Sequence, residues 1–375
     1  MAREAEVAIQ KAWTLVEGGH ADEALAIFDR VIAQTPSDAG LRLEKGVALF
    51  KLKRLEAALG AFDEVLALEP GHLVALNNRG KMLRLLGRDE AARETFERAL
   101  AAADTIKTRL ALADALDAVG RRDEALAHAE NATGREPRDP LVHHGRGVVL
   151  WHMGRLAEAR AAFEQALALK ADHFESLRDR GHALAAAGDR QEARESLAAA
   201  VKQHPKDVGV ILDLAALCLP EQPRDALALA ERALTLDRES ARAWRTKGRA
   251  QAELGEHASA SLNAGVAAMI EGDLEGALGH LDAALARNAS YAQAWSNKGV
   301  VLNRLARYEE ALAAYEHALA LDPKAIPIWH NKGMLLYHKL GRPADGVRCF
   351  KEEVRLDPKR WFELPSEIRL QVDSR

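Results

Sequence analysis

The chain has 375 residues, 52 Lys+Arg against 56 Asp+Glu for a formal net charge of −4, and 48% hydrophobic residues with only 5% aromatics. A weakly acidic chain has no global field drawing it to nucleic acid, and two cysteines, Cys218 and Cys349, form neither a disulfide framework nor a CxxC metal pattern. No stretch approaches the roughly 18 to 20 apolar residues of a membrane span, and the start, MAREAEVAIQK, has no apolar core of signal-peptide length; membrane insertion, secreted disulfide scaffolds and all-β folds are set aside, and a cytoplasmic location is expected.

Taken in chain order, the sequence repeats. A small residue recurs at Ala24, Ala58, Ala92, Ala125, Ala159, Ala193, Ala226 and Ala260 in steps of 33 or 34, and resumes at Ala277, Ala311 and Gly346. Four residues later comes, in most units, a bulkier one: Phe28, Phe62, Phe96, Phe163, Leu197, Leu281, Tyr315, Phe350. Upstream runs a glycine ladder (Gly46, Gly80, Gly147, Gly181, Gly248, Gly265, Gly299), and prolines close the unit at Pro36, Pro70, Pro137, Pro205, Pro323 and Pro358. Apolar residues in each half recur at helical spacing, as in Leu43, Val47 and Phe50 followed by Leu55, Leu59, Phe62 and Leu66. Breaks such as Leu86-Gly87-Arg88-Asp89 separate the halves, with glycine suited to a left-handed cap and an acid suited to the next helix's positive end. Each unit therefore predicts two helices, with the small residues at their crossing.

These residues resemble the tetratricopeptide repeat, whose pattern is W-x2-L-G-x2-Y, then A-x3-F, A and P over 34 residues. The likeness covers roughly residues 5 to 360 and is closest at Trp244-x2-Lys247-Gly248, Trp295-x2-Lys298-Gly299 and Trp329-x2-Lys332-Gly333, where Lys replaces the usual Leu. Ala113 and Ala215 stand in for the first-helix glycine, and the units at 106–139 and 208–240 lack a Phe. The three tryptophans are expected in the core between helices. The resemblance implies an all-α fold, a right-handed superhelical solenoid of antiparallel helix pairs with about 11 repeats and a C-terminal cap.

One step breaks the ladder. Ala260 to Ala277, and Gly248 to Gly265, is 17 residues, so the segment 258–271 satisfies the patterns of a second and a first helix at once. The expected organisation is a solenoid of repeats 1 to 8 over 1–257, repeats 9 to 11 over 258–360 after an odd-helix break near 256–273, and a capping segment over 361–375; the alternative is a smooth superhelix that absorbs the odd helix with a local change of twist.

The resemblance implies that the first helix of each pair lines a concave surface, with unit positions 2, 5, 9, 12 and 13 facing inward. Those positions present Leu43, Val47, Phe50 and Lys51, then Asn77, Lys81 and Arg84, then Asp114 and Asp117. Further along they present His144, Trp151 and His152, Arg178 and His182, Arg242, Arg245 and Arg249, Asn303 and Arg304, and finally His330, Tyr337 and His338. Arg and Asn can hold carboxylates or the backbone of an extended peptide, and Trp and Tyr anchor interfaces. The family's carboxylate clamp, Lys-x3-Asn with a later Lys-x3-Arg, is not matched by Asn77-x3-Lys81 or Arg245-x3-Arg249. His144/His152 and His330/His338 are eight apart, about 12 Å along a helix and too far to share a metal.

There is no GxSxG, HExxH or Gly-rich phosphate loop. The expectation is therefore a non-catalytic scaffold, with no cofactor or metal, that binds an extended or helical segment of a partner protein along the concave face. The alternative is a self-assembling repeat protein that forms homo-oligomers.

Overall fold

The computed structural model describes residues 2–373, and no strand occurs among them. They divide into two compact units at Ser196/Leu197. The first holds the pairs α1 (Ala2–Glu17) and α2 (Ala21–Gln34), α3 (Ala39–Lys51) and α4 (Leu55–Leu68), α5 (Leu73–Leu85) and α6 (Asp89–Ala102), α7 (Ile106–Ala118) and α8 (Arg122–Arg135), and α9 (Pro140–His152) and α10 (Leu156–Leu169). It ends in α11 (Phe174–Ala187) and the start of α12 (Arg190–Gln203). The second continues with α13 (Val208–Cys218), α14 (Pro223–Leu236), α15 (Ala241–Glu253), α16 (His257–Glu271) and α17 (Leu274–Arg287). After these come α18 (Ala292–Arg304), α19 (Tyr308–Leu321), α20 (Ile326–His338), α21 (Pro343–Leu356), a 3-10 turn over Pro358–Glu363, and α22 (Ser366–Asp373). The chain is an all-α solenoid of consecutive helix pairs.

The two helices of a unit start differently. Most first helices carry a side-chain cap, from Asp38, His72, Thr105, Asp139, His173, Asp207 and Ser240, each accepting a backbone N–H of the first turn. Several second helices lack that cap and place carboxylates in the first turn, as with Asp89 and Glu90 in α6 and Asp123 and Glu124 in α8, where they meet the helix's positive end.

The alanine ladder is fully buried at Ala24, Ala58, Ala92, Ala125, Ala159, Ala193, Ala226, Ala277 and Ala311. The glycine ladder has a more specific role than close backbone crossing. In five pairs the glycine of the first helix makes room for an aromatic ring from the second: Gly46 meets Phe62, Gly80 Phe96, Gly147 Phe163, Gly299 Tyr315 and Gly333 Phe350. A Cβ on Gly147 would lie 2.7 Å from Phe163 Cε1. Gly147→Ala is expected to destabilise by about 1–3 kcal/mol through overpacking, whereas Gly134→Ala, with open space around its Cβ position, is expected to be neutral or stabilising. Urea midpoints of the two variants check this.

Lysine in place of leucine also finds its reason. Lys247, Lys298 and Lys332 lie 5.7, 5.4 and 6.0 Å from the ring centroids of Trp244, Trp295 and Trp329. The same ammonium groups pair with Glu231, Asp282 and Glu316 on the preceding second helix at 3.0, 2.6 and 3.0 Å. Four further pairs repeat this joint: Lys45–Asp29, Arg79–Asp63, Arg146–Glu130 and Arg180–Glu164. Each is half-exposed and worth little alone, about 0.2–1 kcal/mol, but the seam fixes successive repeats in one register. The three tryptophans are half-buried rather than core. Their Nε1 atoms donate to the carbonyls of Arg238, Ala289 and Pro323, and a ring covered by lysine does not need complete burial.

Helix α16 packs against both α15 and α17 as closely as the two members of a pair do, and it also touches α18. Towards α15, Gly248 faces the Ala260 carbonyl; towards α17, Gly265 faces Leu281. At 260 the alanine ladder is only half-buried. The side chain of Asn263 is buried beside Gln251, donating Nδ2–H to Gln251 Oε1, and Gln251 donates to Glu256 Oε2 at 3.0 Å. Gln251 occupies the register position held by the buried leucines Leu49, Leu83, Leu150, Leu302 and Leu336 in other repeats.

Candidate functional site

In the first unit the first helices α5, α7, α9 and α11 are neighbours, each touching the next, so residues on their shared face come together although about 34 positions separate them. Asn77 on α5 exchanges hydrogen bonds at 3.2 Å with the fully buried Thr108 of α7. Lys81 lies 4.7 Å from the Phe50 ring centroid. Arg84 donates to Asp114 Oδ2 at 2.8 Å and also to Asp89; burial acts against its charge, but the two carboxylates raise its pKa overall.

The centre of this face is aromatic and imidazole-rich. The Trp151 ring on α9 lies 5.2 Å from His152 and 6.0 Å from His182 of α11, each tilted by about 35°. His152 donates through Nδ1 to the buried carboxylate of Asp117, which also accepts from Arg122 at 3.2 Å. His144 donates through Nε2 to Asp179 Oδ2 at 2.9 Å, and Arg178 donates to both oxygens of Asp179 at 2.7 and 3.1 Å. Burial alone would raise the Asp179 pKa, but hydrogen bonds from His144 and Arg178 outweigh it and hold the carboxyl at about 2, below its usual 3.8. Burial, with the His144 ring next to it, pushes His173 down.

The sign of the resulting pH dependence follows. A depressed carboxylate contributes stability above about pH 4 that is lost as pH falls towards 2. Asp179→Asn is therefore expected to lower the urea midpoint at pH 6, and the gap from the native chain should close between pH 4 and pH 2. A gap independent of pH over that range would show that the carboxylate charge is not what holds His144 and Arg178.

In the second unit the predicted basic strip is largely engaged within the chain. Arg242 pairs with Asp213, Arg245 with Glu271, and Arg304 donates to the Met269 carbonyl at 3.1 Å. Arg249 is exposed and makes no ion pair among the described residues. Asn303 keeps its Oδ1 buried without a hydrogen-bond partner. His330 lies 3.1 Å from Glu353 Oε2, Tyr337 Oη accepts from Gln371 at 2.9 Å, and His338 is exposed with its ring 4.9 Å from that of Tyr337.

Two participants escape a reading of first-helix positions alone. Asp179 sits beside Arg178 and needs the fold to meet His144. Glu353, fully buried on α21, belongs to a second helix. No group of three His, Cys, Asp or Glu among the described residues is placed to hold a metal ion, and no helix among them is long and apolar enough to cross a membrane.

Family comparison agrees with the helix-pair fold. Tetratricopeptide repeat profiles match residues 9–72, 57–105, 110–174 and 221–261, with related profiles of the same description at 150–218 and 292–325. The chain belongs to the tetratricopeptide repeat family. No curated protein matches. Among solved structures, a human IFIT1 dimer with PPP-AAAA is 20% identical, covers 85% of either chain and has a TM-score of 0.53, which shares the fold. TTC0263, a thermophilic TPR protein of Thermus thermophilus, is 27% identical over 48% of this chain and all of its own, with a TM-score of 0.45. As a tetratricopeptide repeat protein the chain is an interaction scaffold in the general sense of that family, whose members are typically not catalysts.

Proposed function

We propose that this tetratricopeptide repeat protein is a non-catalytic scaffold that binds an extended or helical segment of a partner protein along the surface formed by its first helices. The observation that supports the reading best is Trp151, half-exposed and flanked by His152 and His182 from two successive repeats. Tryptophan held rigid before a partner arrives is the residue type that concentrates interface energy. The exposed Arg249 offers a second contact for a carboxylate or carbonyl. With Cys349 buried as a free thiol that burial raises to about 11, the cytoplasm suits the chain.

Pull-down mass spectrometry of native chain against Trp151→Ala and Arg249→Glu tests this reading. Partners recovered with the native chain should be depleted with both variants; an unchanged list with both would overturn it. Self-assembly is the second reading, favoured by Phe362 and Leu370, which are 74% and 76% exposed. A mass by light scattering that rises with concentration, and stops rising in Phe362→Ser/Leu370→Ser, would favour it.

A further inference from the structure

On the same first-helix face, between α7 and α9, lies a groove of about 630 Å³ unlike the rest of the strip. Its apolar lining includes Leu110, Leu141 and Val148. The reason lies in one ladder position, two residues before the first-helix glycine. Repeats 2, 3 and 6 place Glu44, Asn78 and Asp179 there, while repeats 4 and 5 carry Ala111 and Gly145. With no side chain at 145, Leu110 packs into that space, its Cδ2 2.9 Å from where a Cβ would stand, so an apolar side chain lines the groove where other repeats carry a polar one.

The rim is acidic. Glu136 and Asp139 border the groove near the start of α9, and Asp114 and Asp117 border it towards the ends of the helices. Against these four carboxylates stand Lys107 and His144. Asp114 and Asp117 are paired with Arg84 and with His152 and Arg122. Glu136 is exposed and has no hydrogen bond or ion pair from its side chain among the described residues, and Asp139 only caps α9 through Leu141 N. The unneutralised charge therefore sits beside an apolar lining.

We infer that this groove seats an apolar side chain of a partner segment whose flanking residues are Lys or Arg. The inference rests on the scaffold reading above and adds the chemistry of the partner. The ten steps along α7 from Lys107 to Asp117 span about 15 Å at ~1.5 Å per residue, and an extended segment covers that with about five residues at ~3.3 Å each. One basic residue thus meets the uncompensated Glu136 and Asp139, with leucine-like side chains after it, while a second about five along reaches Asp114 and Asp117, whose charge is shared with Arg84 and with His152 and Arg122.

Three fluorescein-labelled peptides test this by anisotropy on the full chain: Lys-Ala-Leu-Leu-Ala-Lys, the same with glutamates for the lysines, and the same with serines for the leucines. The first should bind more tightly than either other, and more weakly as salt rises, since exposed charges are screened. Glu136→Lys, at an exposed position without a partner, should weaken it about fivefold, the size of one surface charge contact. Gly145→Asn, which restores the polar side chain of neighbouring repeats, should weaken it too. Equal binding of the three peptides, no binding of any, or an affinity untouched by Glu136→Lys would overturn the inference. If the peptides fail while Trp151→Ala still depletes captured partners, the groove assignment falls and the scaffold reading stands; if Trp151→Ala also changes nothing, both fall.

Discussion

Arg360→Ala is expected to lower the unfolding free energy by about 2–3 kcal/mol, because it leaves a buried carboxylate with one partner in place of two. Glu353 is fully buried on α21, accepts from Arg360 Nε at 3.0 Å and lies 3.1 Å from His330 Nδ1 of α20. Removing the guanidinium does not remove the cost of burying the charge, which is why the loss exceeds that of a surface pair. Around this point Leu364 and Ile368 bury against Phe350, with Met334, Tyr337 and Val354 packed beside them, so the segment after α21 is held by apolar contact, by the Arg360–Glu353 ion pair and by the Gln371–Tyr337 hydrogen bond. Glu353→Gln, which keeps the shape and can still accept a hydrogen bond, should cost less than Arg360→Ala. Because a repeat contacts mainly its neighbours, the loss should show as earlier melting of the last repeats, read from tryptophan fluorescence in urea. Identical melting of Arg360→Ala and the native chain would mean that Glu353 does not depend on Arg360.

The second large effect concerns α16. Asn263 donates to Gln251, which donates in turn to Glu256, in a place where other repeats carry a buried leucine in the position of Gln251. Either single change, Asn263→Ala or Gln251→Ala, leaves a buried amide without its partner and should cost about 1–3 kcal/mol. The double change Gln251→Leu/Asn263→Ala restores the apolar pattern and should recover most of that loss, or exceed the native stability, as replacement of both partners by apolar groups can. Helix α16 packs against both α15 and α17, and a buried hydrogen bond penalises slippage between the two packings. On that account the double variant, although stable, should exchange amide hydrogens faster over 257–271 than the native chain. Additive losses in the double variant, measured by urea unfolding, would contradict the coupling.

The period of 34 residues made the fold legible, because alanine, glycine and aromatic ladders each report one contact of the same helix pair. What the ladders did not convey was which atoms meet. Glycine reads as a place where backbones cross, yet at Gly46, Gly80, Gly147, Gly299 and Gly333 it makes room for a ring. Lysine in the leucine position reads as a departure, yet it joins a tryptophan face to a carboxylate 16 residues back, as Lys298 does with Asp282. That spacing was present in the sequence for anyone pairing opposite charges across units rather than within a helix. The division of the chain at 257/258 expected from the ladder remains a proposal about organisation; the compact units meet at 196/197, a place that the ladder steps do not mark.

The candidate site was legible as a face but not as a set of free groups. Helical spacing places Asn77, Arg84, His144 and His152 on first helices, but it cannot show that Thr108, Asp114, Asp179 and Asp117 already hold them. Those partners lie 30 to 35 residues away, one repeat along, a distance at which only stacking brings two side chains into contact. The apolar groove was legible only as an absence, glycine at 145 and alanine at 111 where neighbours are polar.

Hydrogen–deuterium exchange of the chain alone and with its captured partner tests the central claim most directly. The account predicts slower exchange in α7, α9 and α11, which carry Leu110, Trp151 and His182, with α8 and α10 unchanged. Protection confined to the second helices, or to 361–373, would contradict it.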